Sequence, residues 1–251
     1  MNKKTKLNLI MVSCIAVSFL IASLVIVIEY NHKRVRSESA EEFEDYLDSY
    51  LYSSNAGDEL PDQRHFISAW DRCLDQLRID ADVIFLGDSI VYKSAFEQEF
   101  PDLDICNLGV CSDTIRAMNY RVGTLETLRP EKVFLMVGIN SLRQFSLDEC
   151  IEDYKVLVDN IQSRWDFDLY IMSVTPVARD GLGPENASPE TIIAFNKAIA
   201  EIAEEKGATY VDLYSELEED GYLKPEYSDD GLHLTDEAYD VWTDMIEDYL
   251  Y

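Results

Sequence analysis

The stretch "VIFLGDSI" (Val83–Ile90) runs four consecutive apolar residues straight into Gly87, Asp88 and Ser89. A short apolar run that stops at a turn-forming glycine is the pattern of a strand buried on both faces. The pattern recurs downstream. "DICNLG" (104–109), "KVFLMVG" (132–138), "DLYIMSV" (168–174) and "TYVDL" (209–213) read as four more strands. Helical periodicity fills the gaps. A helical stretch is expected after Gly87 toward Phe100, and a helix over 112–128 capped by Ser112 or Asp113. A third helix covers 146–165 and opens on a capping box, Ser146 with Glu149 three residues on. A fourth covers 189–207, closed by Gly207. A last helix begins after Thr235, its expected N-cap. Strand and helix alternate throughout, which predicts one parallel sheet covered by helices on both faces. A Pro/Gly-rich loop is expected over 176–189, and no boundary divides 81–251.

Working outward, the chain has 251 residues, of which 47% are apolar. That is enough for one large α/β domain and an appendage. Acidic residues number 49 against 21 basic ones, a formal net charge of -28. Such a surface repels phosphate backbones and argues against a nucleic-acid partner. It also disfavours a polyanionic substrate unless the pocket is locally shielded.

The first 36 residues read as a separate object, a cytoplasmic head and transmembrane anchor. A basic start, "MNKKTK", precedes Leu7–Ile28, 22 residues without a charge. A helix of about 20 apolar residues crosses a bilayer. A secretory signal has a similar basic start but a shorter apolar region, and no small-x-small site stands after Ile28. Cys14 lies inside the apolar run, not after it, which argues against lipid attachment there. Lys3, Lys4 and Lys6 favour a cytoplasmic N-terminus, while Lys33, Arg34 and Arg36 pull the other way. All but one of the 49 acidic residues lie beyond Arg36. A short basic head before a first span commonly exports the rest of the chain, so the domain is expected outside the cell. Residues 37–80 are expected to form a helical stalk or extension, with helices near 41–51 and 65–79.

Five cysteines, Cys14, Cys73, Cys106, Cys111 and Cys150, are too few to make a disulfide scaffold in a chain this long. One bridge among the last four and free buried thiols are both open. With no Cys-x-x-Cys and three histidines, a zinc site is not expected.

A serine beyond a strand's carboxyl end becomes a nucleophile only if a base takes its proton. The histidines are His32, His65 and His233. His32 sits at the membrane edge and His65 precedes the sheet. His233, in "DDGLHLT", comes after the last strand, on the sheet edge where Ser89 also sits. Asp230 stands three residues earlier, and a tight turn through Gly231 would bring its carboxylate to the imidazole. Asp229 is a rival acid, and Asp88 is expected to brace the turn. The N–H groups of Ser89 and Gly109 and the side-chain amide of Asn140 are candidate oxyanion donors.

These blocks resemble the SGNH hydrolases, also called the GDSL esterase/lipase family. "FLGDSI" resembles the first block, with Ser89 as nucleophile. "NLG" resembles the second, with Gly109 as oxyanion glycine. Gly138–Ser141 resembles the third, with Asn140 as oxyanion asparagine. Asp230–His233 resembles the last, with Asp230 as acid and His233 as base. The resemblance spans 81–251. It implies a flavodoxin-like three-layer α/β/α sandwich with a five-stranded parallel sheet. It also implies ester hydrolysis through an acyl-enzyme, with no metal or other cofactor. Ser141 departs from it, standing where aspartate is usual, and a local rearrangement without loss of activity is expected. The N-terminal extension fits the anchors of cell-surface members from Gram-positive bacteria.

A short acyl group on a cell-wall or extracellular glycan, such as an O-acetyl ester, is therefore the expected substrate. Tyr92, Phe96, Arg143, Arg179 and the 176–189 loop are candidate pocket residues. Two other readings are open: a surface-anchored binding protein whose site is idle, and an O-acyltransferase using the same serine. The oligomeric state is not legible.

Overall fold

The computed structural model describes residues 81–122, 128–164, 166–180 and 187–251. The expected anchor and the 37–80 extension lie outside the described residues. No helix among the described residues is long and apolar enough to cross a membrane.

The five expected strands form one parallel sheet: β1 (Val83–Gly87), β2 (Ile105–Gly109), β3 (Lys132–Met136), β4 (Asp168–Met172) and β5 (Thr209–Val211), in the order β2-β1-β3-β4-β5. The chain places β2 on one side of β1 and β3 on the other. The carboxyl end of β1 is therefore a switch point, where loops leaving β1 and β3 diverge and open a crevice. Ser89 stands two residues past it.

Alternating side chains build two cores. Ile84, Leu86, Leu108, Val133, Leu135 and Ile171 face one way. They meet α3 (Ile115–Arg121), α5 (Leu147–Gln162) and α6 (Pro189–Lys206) through Met118, Leu157, Phe195 and Ile199. Val83, Phe85, Ile105, Phe134, Tyr170 and Val211 face the other way. They meet α1 (Ser89–Tyr92), α2 (Phe96–Glu99), α7 (Leu213–Leu217) and α8 (Asp236–Leu250) through Ile90, Phe96, Leu217 and Trp242. The result is a three-layer α/β/α sandwich. On the second face the register aligns Phe85, Phe134 and Tyr170 on neighbouring strands. Their rings stack at 4.8 and 4.5 Å, and Phe96 closes the row 4.2 Å from Phe85. Offset aromatic pairs of this kind add about 0.5–1.5 kcal/mol each beyond their burial. Phe96 is thus a core residue and not a pocket residue.

The helix starts obey side-chain chemistry. Ser146 and Glu149 form the full capping box at α5. Gly207 closes α6 at φ 69. Thr235 precedes α8 but spends its hydroxyl on the Glu226 carbonyl.

Three expectations need correction, and one further element was not expected. The stretch after Gly87 is two short helices, because Asn107 Nδ2 donates to the Val91 carbonyl and Ser94 Oγ donates to the same oxygen. A continuing helix would have needed that acceptor. The expected 112–128 helix is described only over Ile115–Arg121, and Thr114 caps it by accepting the Ala117 N–H. Ser112 and Asp113 are not the cap. Ser112 is held at φ 64, and Asp113 is buried against Arg121. The fifth strand stops at Val211 because Asp212 caps α7. Finally, an antiparallel hairpin joins β6 (Glu218–Glu219) to β7 (Tyr222–Leu223) through Asp220 and Gly221 at φ 54 and 84. Asp-Gly with both φ positive is the turn that suits a two-residue hairpin loop.

Candidate active site

The crevice at the end of β1 is built by three loops. The first is the turn that carries Ser89. Asp88 caps α1 by accepting the Ile90 N–H on Oδ1 at 2.9 Å, which puts Ser89 at the first helical position. Two glycines let this turn pack down. A Cβ on Gly87 would meet Val91 at 2.1 Å, and one on Gly109 would meet the Tyr92 backbone nitrogen at 2.2 Å.

The second is the turn Ser228–His233. Ser228 Oγ accepts the Gly231 N–H at 2.9 Å and donates to the His233 carbonyl at 2.6 Å. Gly231 takes φ 87. One carboxylate oxygen of Asp230 accepts the N–H groups of Leu232 and His233 at 2.9 and 2.8 Å. Its other oxygen lies 2.6 Å from His233 Nδ1, and His233 Nε2 lies 3.0 Å from Ser89 Oγ. Burial opposes charge on Asp230, but the imidazole and the two backbone donors hold its carboxyl well below the usual range. An ionised Asp230 can only accept, so Nδ1 carries the hydrogen. In the neutral ring Nε2 then accepts from the Ser89 hydroxyl. The structure thus brings Ser89, His233 and Asp230 together, while Asp229 lines a neighbouring cavity.

The third is formed by the loops after β2 and β3. Asn140, on α4 (Ile139–Leu142), is 8% exposed and gives one amide hydrogen to the Asp113 carbonyl at 3.0 Å. Ser141, beside it, accepts the Ile115 N–H at 2.8 Å and so braces the start of α3. Its hydroxyl joins the two loops. Gly109 is placed differently from expectation. Its N–H donates to Asn107 Oδ1 at 2.9 Å, and what comes close to its missing side chain is α1. Ser112, expected only as a helix cap, stands instead in a turn at the crevice. The Asp113 N–H bonds the Val110 carbonyl, and Ser112 takes φ 64 at the third position of that turn. Such a turn leaves the N–H of its third residue outside its own hydrogen bond and ordinarily places glycine there. A serine in that place at the crevice was the missed signal.

The other expected residues are spread out. Tyr92 ends α1, and Arg143 caps α4 at an exposed position. Arg179 lies 4.2 Å over the ring of Tyr222. Arg179 and Tyr222 line a cavity of about 430 Å³ with Asp180, Asp220, Ser228 and Asp229.

Beneath Ser89 lie two further carboxyls. Burial pushes Asp88 up to about 7, and neighbouring Asp113 adds to the rise. Burial likewise pushes Asp113 up to about 6 against the pull of Arg121. Both are raised above the unfolded value of 3.8. Between those limits the folded state holds protons that the unfolded chain releases, so stability falls as pH rises. Melting at pH 5 is expected above melting at pH 8 by differential scanning fluorimetry. Asp88→Asn, which mimics the protonated form, should shrink the difference, and an unchanged difference would contradict it. Asp230, shifted the other way, loses its contribution only as the medium becomes strongly acidic.

A sequence profile for the GDSL-like lipase/acylhydrolase family matches residues 85–241, well over half the chain. The chain belongs to that family. It is an ester hydrolase of the GDSL type. No curated protein matches it in sequence. Among solved structures, one similar protein is from Streptococcus pneumonia and named for platelet activating factor. It is 22% identical, has a TM-score of 0.67, and the alignment covers 75% of this chain and 96% of that one. A GDSL-like lipase from Bacteroides thetaiotaomicron is 20% identical with a TM-score of 0.62, covering 74% and 96%. A variant of an acetyl-xylooligosaccharide esterase from Geobacillus Stearmophilus is 18% identical with a TM-score of 0.54, covering 68% and 94%. These likenesses establish a GDSL-type α/β fold.

Proposed function

We propose that this GDSL-type hydrolase removes short acyl groups, acetyl above all, from carbohydrate. In this reading Leu7–Ile28 anchors it in the membrane and the domain works outside the cell. The observation that carries the chemistry is the relay from Ser89 Oγ through His233 to Asp230, 3.0 and 2.6 Å long.

Ser89 Oγ attacks the ester carbonyl while His233 Nε2 takes its proton. Asp230 steadies the imidazolium that forms. The negative oxygen of the tetrahedral intermediate falls to the Ser89 N–H, the second amide hydrogen of Asn140 and the Ser112 N–H, which takes the part first expected of Gly109. His233 then gives its proton to the departing alkoxide, leaving an acyl-serine. Water repeats the sequence, with His233 again as base, and releases the acid and free serine.

The cavity between Arg179–Tyr222 and the 228–231 turn supports a glycan substrate. It adjoins the catalytic turn, and it combines an aromatic ring with carboxylates able to accept sugar hydroxyls. The similar acetyl-xylooligosaccharide esterase points the same way. Acetylated oligosaccharides and p-nitrophenyl acetate are expected to turn over faster than long-chain p-nitrophenyl esters such as the palmitate. Tyr222→Ala should raise KM for the oligosaccharide and leave p-nitrophenyl acetate unaffected. Preference for the long chains would overturn the acetyl reading. For the anchor, protease added to intact cells should digest the domain, and protection would place it inside.

A further inference from the structure

The ion pair between Asp113 and Arg121 lies below the turn that carries Ser89, shut off from solvent. Its exposures are 0% and 3%, and Arg121 Nε lies 2.6 Å from Asp113 Oδ2. The same guanidinium donates through Nη2 to the Gly87 carbonyl at 3.1 Å, two residues before Ser89. Asp113 in turn belongs to the loop that carries Ser112, and its backbone carbonyl holds Asn140. One planar group therefore ties the turn bearing the nucleophile to the loop that fixes two of the three proposed oxyanion donors.

Stability alone is a poor reason for this arrangement. Taking a carboxylate and a guanidinium fully out of water costs several kcal/mol per ion, and a well-packed apolar pair often stabilises as much or more. The pairing is also incomplete, since Asp113 Oδ1 has no hydrogen-bond partner among the described residues. The charge of the same guanidinium also reaches Asp88, a second buried carboxyl. Nor does the backbone need Arg121: the Gly87 carbonyl also accepts the Val110 N–H at 2.9 Å. What an apolar pair could not do is hold the two loops at a fixed spacing through a rigid fork.

We propose that Arg121 and Asp113 are positioning residues that set Ser89 against the Ser112 and Asn140 donors. The proposal rests on Ser89 being the nucleophile. A displacement of about 1 Å at reacting groups can cost on the order of 100-fold in rate.

The test separates positioning from packing in the full-length protein. Arg121→Met alone strands a buried carboxylate and should melt far below the parent. Asp113→Leu combined with Arg121→Met removes both charges and should melt within about 5 °C of the parent. Its kcat on p-nitrophenyl acetate should still fall roughly 10–100-fold with KM within about twofold, and fluorophosphonate labelling should slow by the same factor. Recovery of kcat along with melting temperature would overturn the proposal. Should the double variant fail to fold, Arg121→Lys decides. A lysine keeps the charge beside Asp113 but cannot also reach Gly87, so about a 10-fold loss of kcat at near-parent stability is expected. Parent-like kcat in Arg121→Lys would refute positioning. A parent that neither hydrolyses ester nor takes the label would instead strike at Ser89 itself.

Discussion

Ser89→Ala lowers ester turnover by at least about 10⁴-fold with little change in melting temperature, and His233→Ala does the same. The expectation comes from the way the other nearby hydroxyls are occupied. Ser94 Oγ donates to the Val91 carbonyl. Ser141 Oγ accepts the Ile115 N–H. Ser228 Oγ bridges the Gly231 N–H and the His233 carbonyl. Ser89 is the hydroxyl that meets the imidazole. If Ser89 and His233 act as one unit, as proposed, the double variant should lose no more than either single one. The rate that survives measures what binding and the oxyanion donors supply alone. A fluorophosphonate probe should label the parent and fail on Ser89→Ala, while Ser228→Ala should still be labelled. Undiminished turnover in purified Ser89→Ala protein would end the assignment. Undiminished labelling would move the nucleophile elsewhere.

The sheet and the site were legible in the sequence to different depths. The strands stand out because a parallel sheet covered on both faces favours apolar runs that end where polar loops begin, although β2 carries Asn107 and the edge strand β5 is exposed at Thr209. His233 was readable by elimination among three histidines, and Asp230 by the short turn that Gly231 permits. Residues whose roles depend on distant partners were not readable. Gly109 looks like a glycine that admits substrate, yet the close approach belongs to α1, which the sequence places 17 residues earlier. Asp113 has the type and place of a helix cap. Its actual partner, Arg121, is at the far end of the same helix, and neither one's burial is visible in the pattern of neighbours. Ser112 was hidden for the opposite reason, since a left-handed backbone on a serine contradicts local preference. Local rules tend to fail where strain serves a site. The Asp220–Gly221 hairpin was legible and went unread: a two-residue Asp-Gly turn between Glu219 and Tyr222 is a strong local signal.

Asp230→Asn is expected to cost nearly as much as losing the nucleophile, roughly 10⁴-fold in kcat, while leaving the turn intact. Asparagine is isosteric, so its carbonyl oxygen can keep accepting the Leu232 and His233 N–H groups that fix the loop. The amide NH₂ then faces His233 Nδ1. A donor there forces Nδ1 to accept, and the ring hydrogen moves to Nε2. Nε2–H points at Ser89 Oγ and can no longer take its proton. The site would hold the same shape with the wrong tautomer. Melting temperature should therefore change little and KM should stay close to the parent's, with the loss confined to kcat. Asp230→Ala is the contrasting variant: it removes the backbone acceptor as well, so it should lose stability together with rate. Turnover by Asp230→Asn within about tenfold of the parent would mean that another group orients His233. The 2.6 Å contact to Nδ1 would then be incidental to catalysis.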